Sequence, residues 1–328
     1  MAGQIWSVNS LGGFFYSLNL SDELRESLQP LTKFRQFCDV KDASQQGKKK
    51  GDIFTWDVVG NLTRGNRALL ETNTVGEGSF AITQATLTIS ERGMSVPYSG
   101  KLEALGKFEV KQPIMRALKN DASKDIDALA ATQFKRTQLR AVLDTSSTTC
   151  TTNGTATAVS SIALTTVGVK DIRDFMAERS IPAYVNDDYY AIARPTALRT
   201  LKNNLENIHQ YTEAGFRMIM NGEIGRYEQV RFVEQTNIPK GGAADSTAYN
   251  MFTNTDDAWN VAGGLRDWCF FFGEDTVAEA IAVPEEMRAK IPTDYGRSKG
   301  VAWYYLGNFG LVHETASEAR VVMVDSAS

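Results

Sequence analysis

The chain has 328 residues, 42% of them apolar and 23% charged, with 35 basic and 39 acidic side chains giving a net charge of −4. This is the composition of an ordinary globular protein long enough for two domains. It excludes a basic nucleic-acid reader and, with no run of about 18 apolar residues, a helical membrane span.

The first residues lack a basic stretch followed by an apolar one, so no signal peptide is expected. Three widely spaced cysteines, Cys38, Cys150 and Cys269, point to buried thiols in a reducing compartment rather than a disulfide framework. Residues 1–50 read as an arm. Ser21 opens a short helix with acidic residues in its first turn, and LTKFRQFCDV (31–40) reads as extended. Lys48–Lys50 read as a solvated loop. Residues 51–100 are β-rich. Phe54, Trp56 and Val58 alternate onto one face, as do Ala85, Leu87 and Ile89 against Thr86 and Thr88. The polar, glycine-dotted stretch between them makes the pair a protruding hairpin, and its open edges would be a liability in a monomer.

From Pro113 to about Val142 no glycine interrupts the chain. Ile114, Leu118, Ala122, Ile126, Ala130 and Phe134 recur every four residues. This predicts a spine helix over about 113–142, roughly 45 Å long at 1.5 Å per residue. Its single narrow stripe suits packing on a sheet. The Ser/Thr-rich stretch 144–161 reads as a crossover loop. Residues 165–285 alternate helices and strands. One helix carries Ile172, Phe175 and Met176, YYAIARP (189–195) is a short central strand, and a helix follows from about Thr196. A further helix spans Tyr211–Met220, with Gly222 ending it and Gly225 turning the chain into a strand from Tyr227 to Glu234 that closes at Ile238-Pro239. An aromatic run around Phe270–Phe272 suits a buried strand. VAWYYLGNFGLVHE and ARVVMVD form two return strands.

Residues that carry chemistry are few. His209 and His313, the chain's two histidines, fit no metal or nucleophile spacing, and read as surface or strand-edge residues. No phosphate-binding loop or nucleophile elbow occurs. The acid pairs Asp187/Asp188, Asp256/Asp257 and Glu285/Glu286 read as solvated turns, because adjacent acids on a strand face opposite ways. Arg226–Tyr227 and Arg231–Phe232 interleave basic and aromatic residues, but neighbouring Glu223, Glu228 and Glu234 balance them, so cross-strand ion pairs are expected. No catalytic, cofactor-binding or metal-binding residue is expected.

Several stretches then fall into one order: LTKFRQF, KKKGDIFTWDV, TLTISERGMSVPYSGKLEAL, DYYAIARPTALRTLKNN, the Gly222–Ile224–Gly225 step running through Val230, Phe232 and Val233 to Ile238-Pro239, and FFFGEDTVAEA followed by VAWYYLGNFGLV. This order resembles the major capsid proteins of tailed double-stranded DNA bacteriophages, over nearly the whole chain, and is most similar to the coat proteins of the N4-type podovirus group.

The resemblance implies an HK97-like α+β fold. Its parts would be an N-terminal arm (1–50), an extended hairpin loop (51–100), a peripheral domain with the spine helix (101–164 and 286–328), and an axial domain (165–285). It implies self-assembly as hexamers and pentamers into an icosahedral head enclosing non-specifically packaged double-stranded DNA, in the virion after assembly in the host cytoplasm. A portal protein and decoration proteins are further partners it implies. With about 50 residues before the hairpin, a separate scaffolding protein is expected. No lysine lies between Gly51 and Gly100, so hairpin-borne lysine crosslinks are not expected. The interface residues it suggests are Arg64, Arg67, Glu71 and Glu77 at the hairpin tip, and Trp6, Phe14, Phe15 and Tyr16 in the arm. Gly222, Gly225 and Pro239 are the turn residues. An encapsulin-like nanocompartment shares this pattern. An α/β enzyme with an unrecognised site and a tail or decoration protein are the alternatives of other classes.

Overall fold

The computed structural model describes residues 33–42, 53–60, 62, 77–106, 109–145, 147–156, 158–209, 225–236, 238 and 266–327. Two sheets and one long helix organise these residues. The first sheet has four strands in the order β1 (Asp39–Asp42), β11 (Val277–Ala289), β12 (Ser298–Leu311) and β4 (Ser90–Ser99). The second has seven, in the order β6 (Thr148–Thr151), β5 (Leu139–Leu143), β13 (Val321–Ala327), β10 (Arg266–Phe272), β7 (Tyr189–Ala193), β9 (Val230–Glu234) and β8 (Arg226–Tyr227). The strands β2 (Ile53–Val59) and β3 (Ile82–Thr88) pair antiparallel as a separate ribbon. The helices are α1 (Gly100–Leu105), α2 (Lys111–Lys135), α3 (Thr166–Glu178) and α4 (Leu198–His209).

The helix α2 is the predicted spine. Pro113 lies in its first turn, where its missing N–H costs nothing. Its stripe, Ile114, Leu118, Ala122, Ile126, Ala130 and Phe134, is buried. It meets Trp303, Tyr305, Phe309 and Leu311 on one face of the four-stranded sheet, and Trp268, Phe270 and Met323 on the seven-stranded sheet. The opposite face of the seven-stranded sheet, with Leu139, Ala141, Cys269, Phe271, Val322 and Val324, packs on Ile172 and Met176 of α3 and on Leu198 and Leu201 of α4. Odd and even residues of β10 thus serve different cores, which is why that strand reads as an unbroken apolar run.

The spine helix ends at Lys135 rather than near Val142. The four-residue stripe ends at Phe134, the Thr137 hydroxyl donates to the Val321 carbonyl, and Leu139–Leu143 continue as a wholly buried strand parallel to β13. The Ser/Thr-rich stretch is also more than a loop, since Thr148–Thr151 pair with β5 at the sheet edge. LTKFRQFCDV is only partly extended: a 3-10 turn, Arg35–Phe37, precedes β1. The segment after Gly225 is a tight hairpin, not one strand, because Glu228 and Gln229 both take left-handed φ values of 48° and 60°. That is the conformation of a two-residue hairpin turn.

The sheets also cut across the division drawn at residues 164 and 286. β5, β6 and β13 lie in the seven-stranded sheet, beside elements of 165–285, while the first half of β11 belongs to the four-stranded sheet. β11 passes through Pro284 with register shifts between Ile281 and Glu286, an irregularity that lets a proline sit within a strand.

Candidate assembly surfaces

The β2–β3 ribbon has two unlike faces. Trp56 and Leu87 face the four-stranded sheet and form a small cluster with Ala280, Phe54 and Ile89. Gly310 makes the approach possible: a Cβ there would lie 2.9 Å from the Trp56 ring and 3.0 Å from Leu87 Cδ1. Thr83 Oγ1 donates to Glu318 Oε2 at 3.1 Å and ties β3 to the turn before β13. The other face carries Ile53, Val59 and Ile82. Val59 and Ile82 are cross-strand partners, exposed to 64% and 60%, with exposed Leu62 and Phe80 nearby in sequence. Between these apolar residues the same face carries Thr55, Asp57, Gln84, Thr86 and Thr88, with Gln84 Nε2 donating to Asp57 Oδ1 at 2.9 Å, so the uncovered face is polar along its middle and apolar at its ends.

A second exposed feature is the β11–β12 tip. Ile291 and Tyr295 stand in solvent there. Asp294 and Tyr295 hold left-handed φ values of 54° and 52°. The tip is braced by Arg297 to Asp294 at 3.6 Å and by the Lys290 ammonium donating to Ser298 Oγ at 2.8 Å.

The third feature is the strap, Lys33–Asp42. Phe34 wedges between Phe134 of α2 and Phe270 of β10, with ring centroids 5.3 and 5.4 Å away. Phe37 meets Tyr190 and Phe272 at 5.1 Å each, and Tyr184 at 5.8 Å. Between them Arg35 turns the other way. Its guanidinium reaches Glu279 at 3.0 Å and Glu285 at 2.7 Å. Glu279 is fully buried and also accepts from the Tyr305 hydroxyl at 3.1 Å. The Asp127 carboxylate of α2 accepts from the Arg35 backbone N–H at 3.0 Å and from Gln235 Nε2 at 2.8 Å. It therefore caps the strap's 3-10 turn, whose own Phe34 has no side chain to do so. Burial pushes the Asp127 carboxyl up, against those hydrogen bonds.

Three acids read as solvated have structural roles instead. Asp188 is buried and accepts from Arg226 Nε and Arg231 Nε, both at 2.7 Å. Burial alone would raise its pKa, but the two guanidinium groups hold it below the usual carboxylate range. The interleaved arginines thus close on the aspartate just before β7, while Glu228 and Glu234 pair with Lys170 and Lys202. Glu285 and Glu286 lie within β11; Glu285 joins Arg35, and Glu286 pairs with Arg288. His313 is buried rather than at the surface, with Nε2 3.2 Å from Asp275. Cys38 and Cys269 are buried free thiols and Cys150 is half-buried.

Of the residues suggested from sequence, Glu77 is exposed ahead of β3, and Gly225 turns with φ 62° and open space around it. Arg64, Arg67, Glu71, Trp6, Phe14, Phe15, Tyr16, Gly222 and Pro239 lie outside the described residues. Sequence reasoning missed Arg35, Asp127, Glu279 and Gln235. They are far apart in sequence, and the one local signal was a charge inside the aromatic stretch at Phe34–Phe37. Among the described residues no group of three or more metal-ligating side chains converges.

A profile of the phage capsid proteins matches residues 84–320, most of the chain. The chain belongs to the phage capsid protein family. Solved structures agree on the fold. The capsid of the cyanophage P-SCSP1u is similar at 13% identity and a TM-score of 0.65, covering 100% of this chain and 99% of that one. The capsid of Ralstonia phage GP4 is similar at 12% identity and a TM-score of 0.66, covering 100% and 98%. The head of Helicobacter pylori bacteriophage KHP40 is similar at 13% identity and a TM-score of 0.67, covering 94% and 95%. A search of the curated proteins finds no match. The fold is the HK97-like α+β fold of phage major capsid proteins. This coat protein is structural rather than enzymatic, associates with itself into a shell, and belongs to the virion capsid.

Proposed function

We propose that this coat protein assembles as hexamers and pentamers into a closed icosahedral head around double-stranded DNA. The observation that carries this reading is the two-faced ribbon β2–β3. One face is docked on the chain's own sheet, and the other presents Val59 and Ile82. Head-to-tail contacts that close a ring give each copy one such face to offer and one surface to receive it. The four-stranded sheet with α2 serves as the peripheral domain, and the seven-stranded sheet with α3 and α4 as the axial domain. Arg64, Arg67, Glu71 and Glu77 form ion pairs to neighbours at the ribbon's tip, and Trp6, Phe14, Phe15 and Tyr16 bury arm aromatics on them. A separate scaffolding protein directs assembly in the host cytoplasm, a portal protein occupies one vertex, and decoration proteins add to the outside. The nearer kinship with N4-type podovirus coat proteins is supported by the order of sequence motifs.

Mild acidity fits a wall that does not grip the packaged DNA, since tight phosphate binding would resist filling and release. The test is sedimentation and negative-stain microscopy of the full chain at high concentration, alone and with a scaffolding protein. Closed particles or sheets tens of nanometres across are expected. A compact monomer that stays monomeric with the scaffold, and resists proteolysis within residues 1–50 and 60–80, refutes the reading.

A further inference from the structure

The chain crosses between the two sheets where α2 leads to β5, where β10 leads to β11, and where β12 leads to β13. The helix α2 packs on both sheets, and the other two crossings are loops. The strap adds something different. Phe34 and Phe37 face the seven-stranded sheet through Phe270, Phe272 and Tyr190. Arg35, between them in sequence, faces the four-stranded sheet through Glu279 and Glu285, and β1 extends that sheet beside Ala278–Ile281. Asp127 of α2 joins the strap's backbone to Gln235, the residue after β9. Ten residues thus touch the helix and both sheets, with apolar contacts on one side and charged ones on the other.

We propose that the strap is the lock on the angle between the two sheets, and that its release is the step that lets this angle change. A wedge of two phenylalanines holds the layers apart at a set width. The charged knot keeps the wedge seated, because withdrawing Arg35 would leave Glu279 buried without its counter-charge. The strap lies at the sheet edge and borders a cavity of about 770 Å³ lined by Arg35, Val40, Ala122, Ile126, Met287 and Trp303. As a control of shell curvature this inference rests on the assembly reading. As a lock within one subunit it does not.

The test uses the unassembled full chain with Cys150→Ser, carrying spin labels at the exposed positions Met94→Cys on β4 and Val167→Cys on α3. Pulsed dipolar spectroscopy reads the angle between the layers as a distance. Hydrogen exchange at the Phe37 and Cys38 amides, which bond to Phe34 and Arg35 carbonyls, reads the strap. Arg35→Gln breaks the knot and leaves a buried charge. Arg35→Met with Glu279→Gln breaks it without one, and so keeps the test valid if the first variant does not fold. Exchange is expected to rise about a hundredfold or more in the first variant and about tenfold in the second. In both, the distance distribution is expected to broaden or shift from that of the parent.

Faster exchange with an unchanged distance overturns the lock, leaving the strap a passenger on a rigid body. Unchanged exchange in both variants overturns the knot as what holds it. A parent chain that never forms shells counts against the assembly reading alone, because the distance measurement needs no shell.

Discussion

Gly310→Ala tests how the ribbon is seated. The new Cβ would lie 2.9 Å from two atoms of the Trp56 ring and 3.0 Å from Leu87 Cδ1, where contacts normally begin near 3.4 Å. The indole cannot step aside easily: Phe54 packs edge-on against it with centroids 5.2 Å apart, and Leu87 is buried on the neighbouring strand. The ribbon must lift by several tenths of an ångström, so the cost falls in the overpacking range of about 1–3 kcal/mol. At about 1.4 kcal/mol per tenfold, detachment of the ribbon becomes about 5- to 150-fold more frequent. The rest of the chain does not share this contact and should keep its stability. The assay is residue-level hydrogen exchange on the unassembled protein. Amides of β2 and β3 should exchange faster, with those of β10 and β13 unchanged. Equal protection of the ribbon in both proteins would refute the docking, and a uniform rise across the chain would show that the ribbon is not a separable unit.

Val59→Lys with Ile82→Glu replaces the exposed cross-strand pair by an opposite-charge pair. Monomer stability should change by no more than about 0.5 kcal/mol, while sedimentation shows assembly abolished. Asp188→Asn should cost about 1–3 kcal/mol by losing charge-assisted bonds from Arg226 and Arg231. Because the folded carboxyl titrates lower than the unfolded one, its stabilisation is full above about pH 4–5 and lost as pH falls through the folded value. The gap between parent and variant in urea melts should therefore close on acidification. Cys150 is pushed up to about 11 by burial first and by Asp171 next. At pH 8 its alkylation should run about two-hundredfold slower than an ordinary thiol, a ratio that denaturant should abolish. Phe134→Ala, which empties the meeting point of Phe34, Phe272 and α2, should cost about 3–5 kcal/mol by chemical denaturation.

The sequence was readable where one period ran uninterrupted. The four-residue stripe of α2 and the alternation of β2 and β3 appear in the structure with the predicted faces. It was unreadable where a non-local partner decided the outcome. Leu139–Leu143 suits a helix as well as a strand, and only β13 beside it selects the strand. The turn at Glu228-Gln229 lacks the Asn-Gly or Asp-Gly signal of left-handed hairpins, and pairing of β9 with β7 supplies the order that the turn residues do not. Asp188 resembles any acid in a turn until Arg226 and Arg231 close on it. The strap knot was hidden for the same reason, its members lying 92 to 250 positions from Arg35 in sequence.

The placement of these charged groups follows one logic. The buried carboxylates of Asp127, Glu279 and Asp188 each accept hydrogen bonds from another segment of chain. Apolar contacts at such joints would hold the segments together but tolerate sliding, because greasy surfaces of similar size repack at little cost. A buried carboxylate does not tolerate sliding. It adds little net stability, yet losing its partner costs several kcal/mol, so nearby arrangements are penalised steeply. In a coat protein, a small angular error in one subunit repeats around a ring and prevents closure. Charges at the joints narrow the angles a folded subunit can take, and among the described residues the strap joins both sheets and the spine helix.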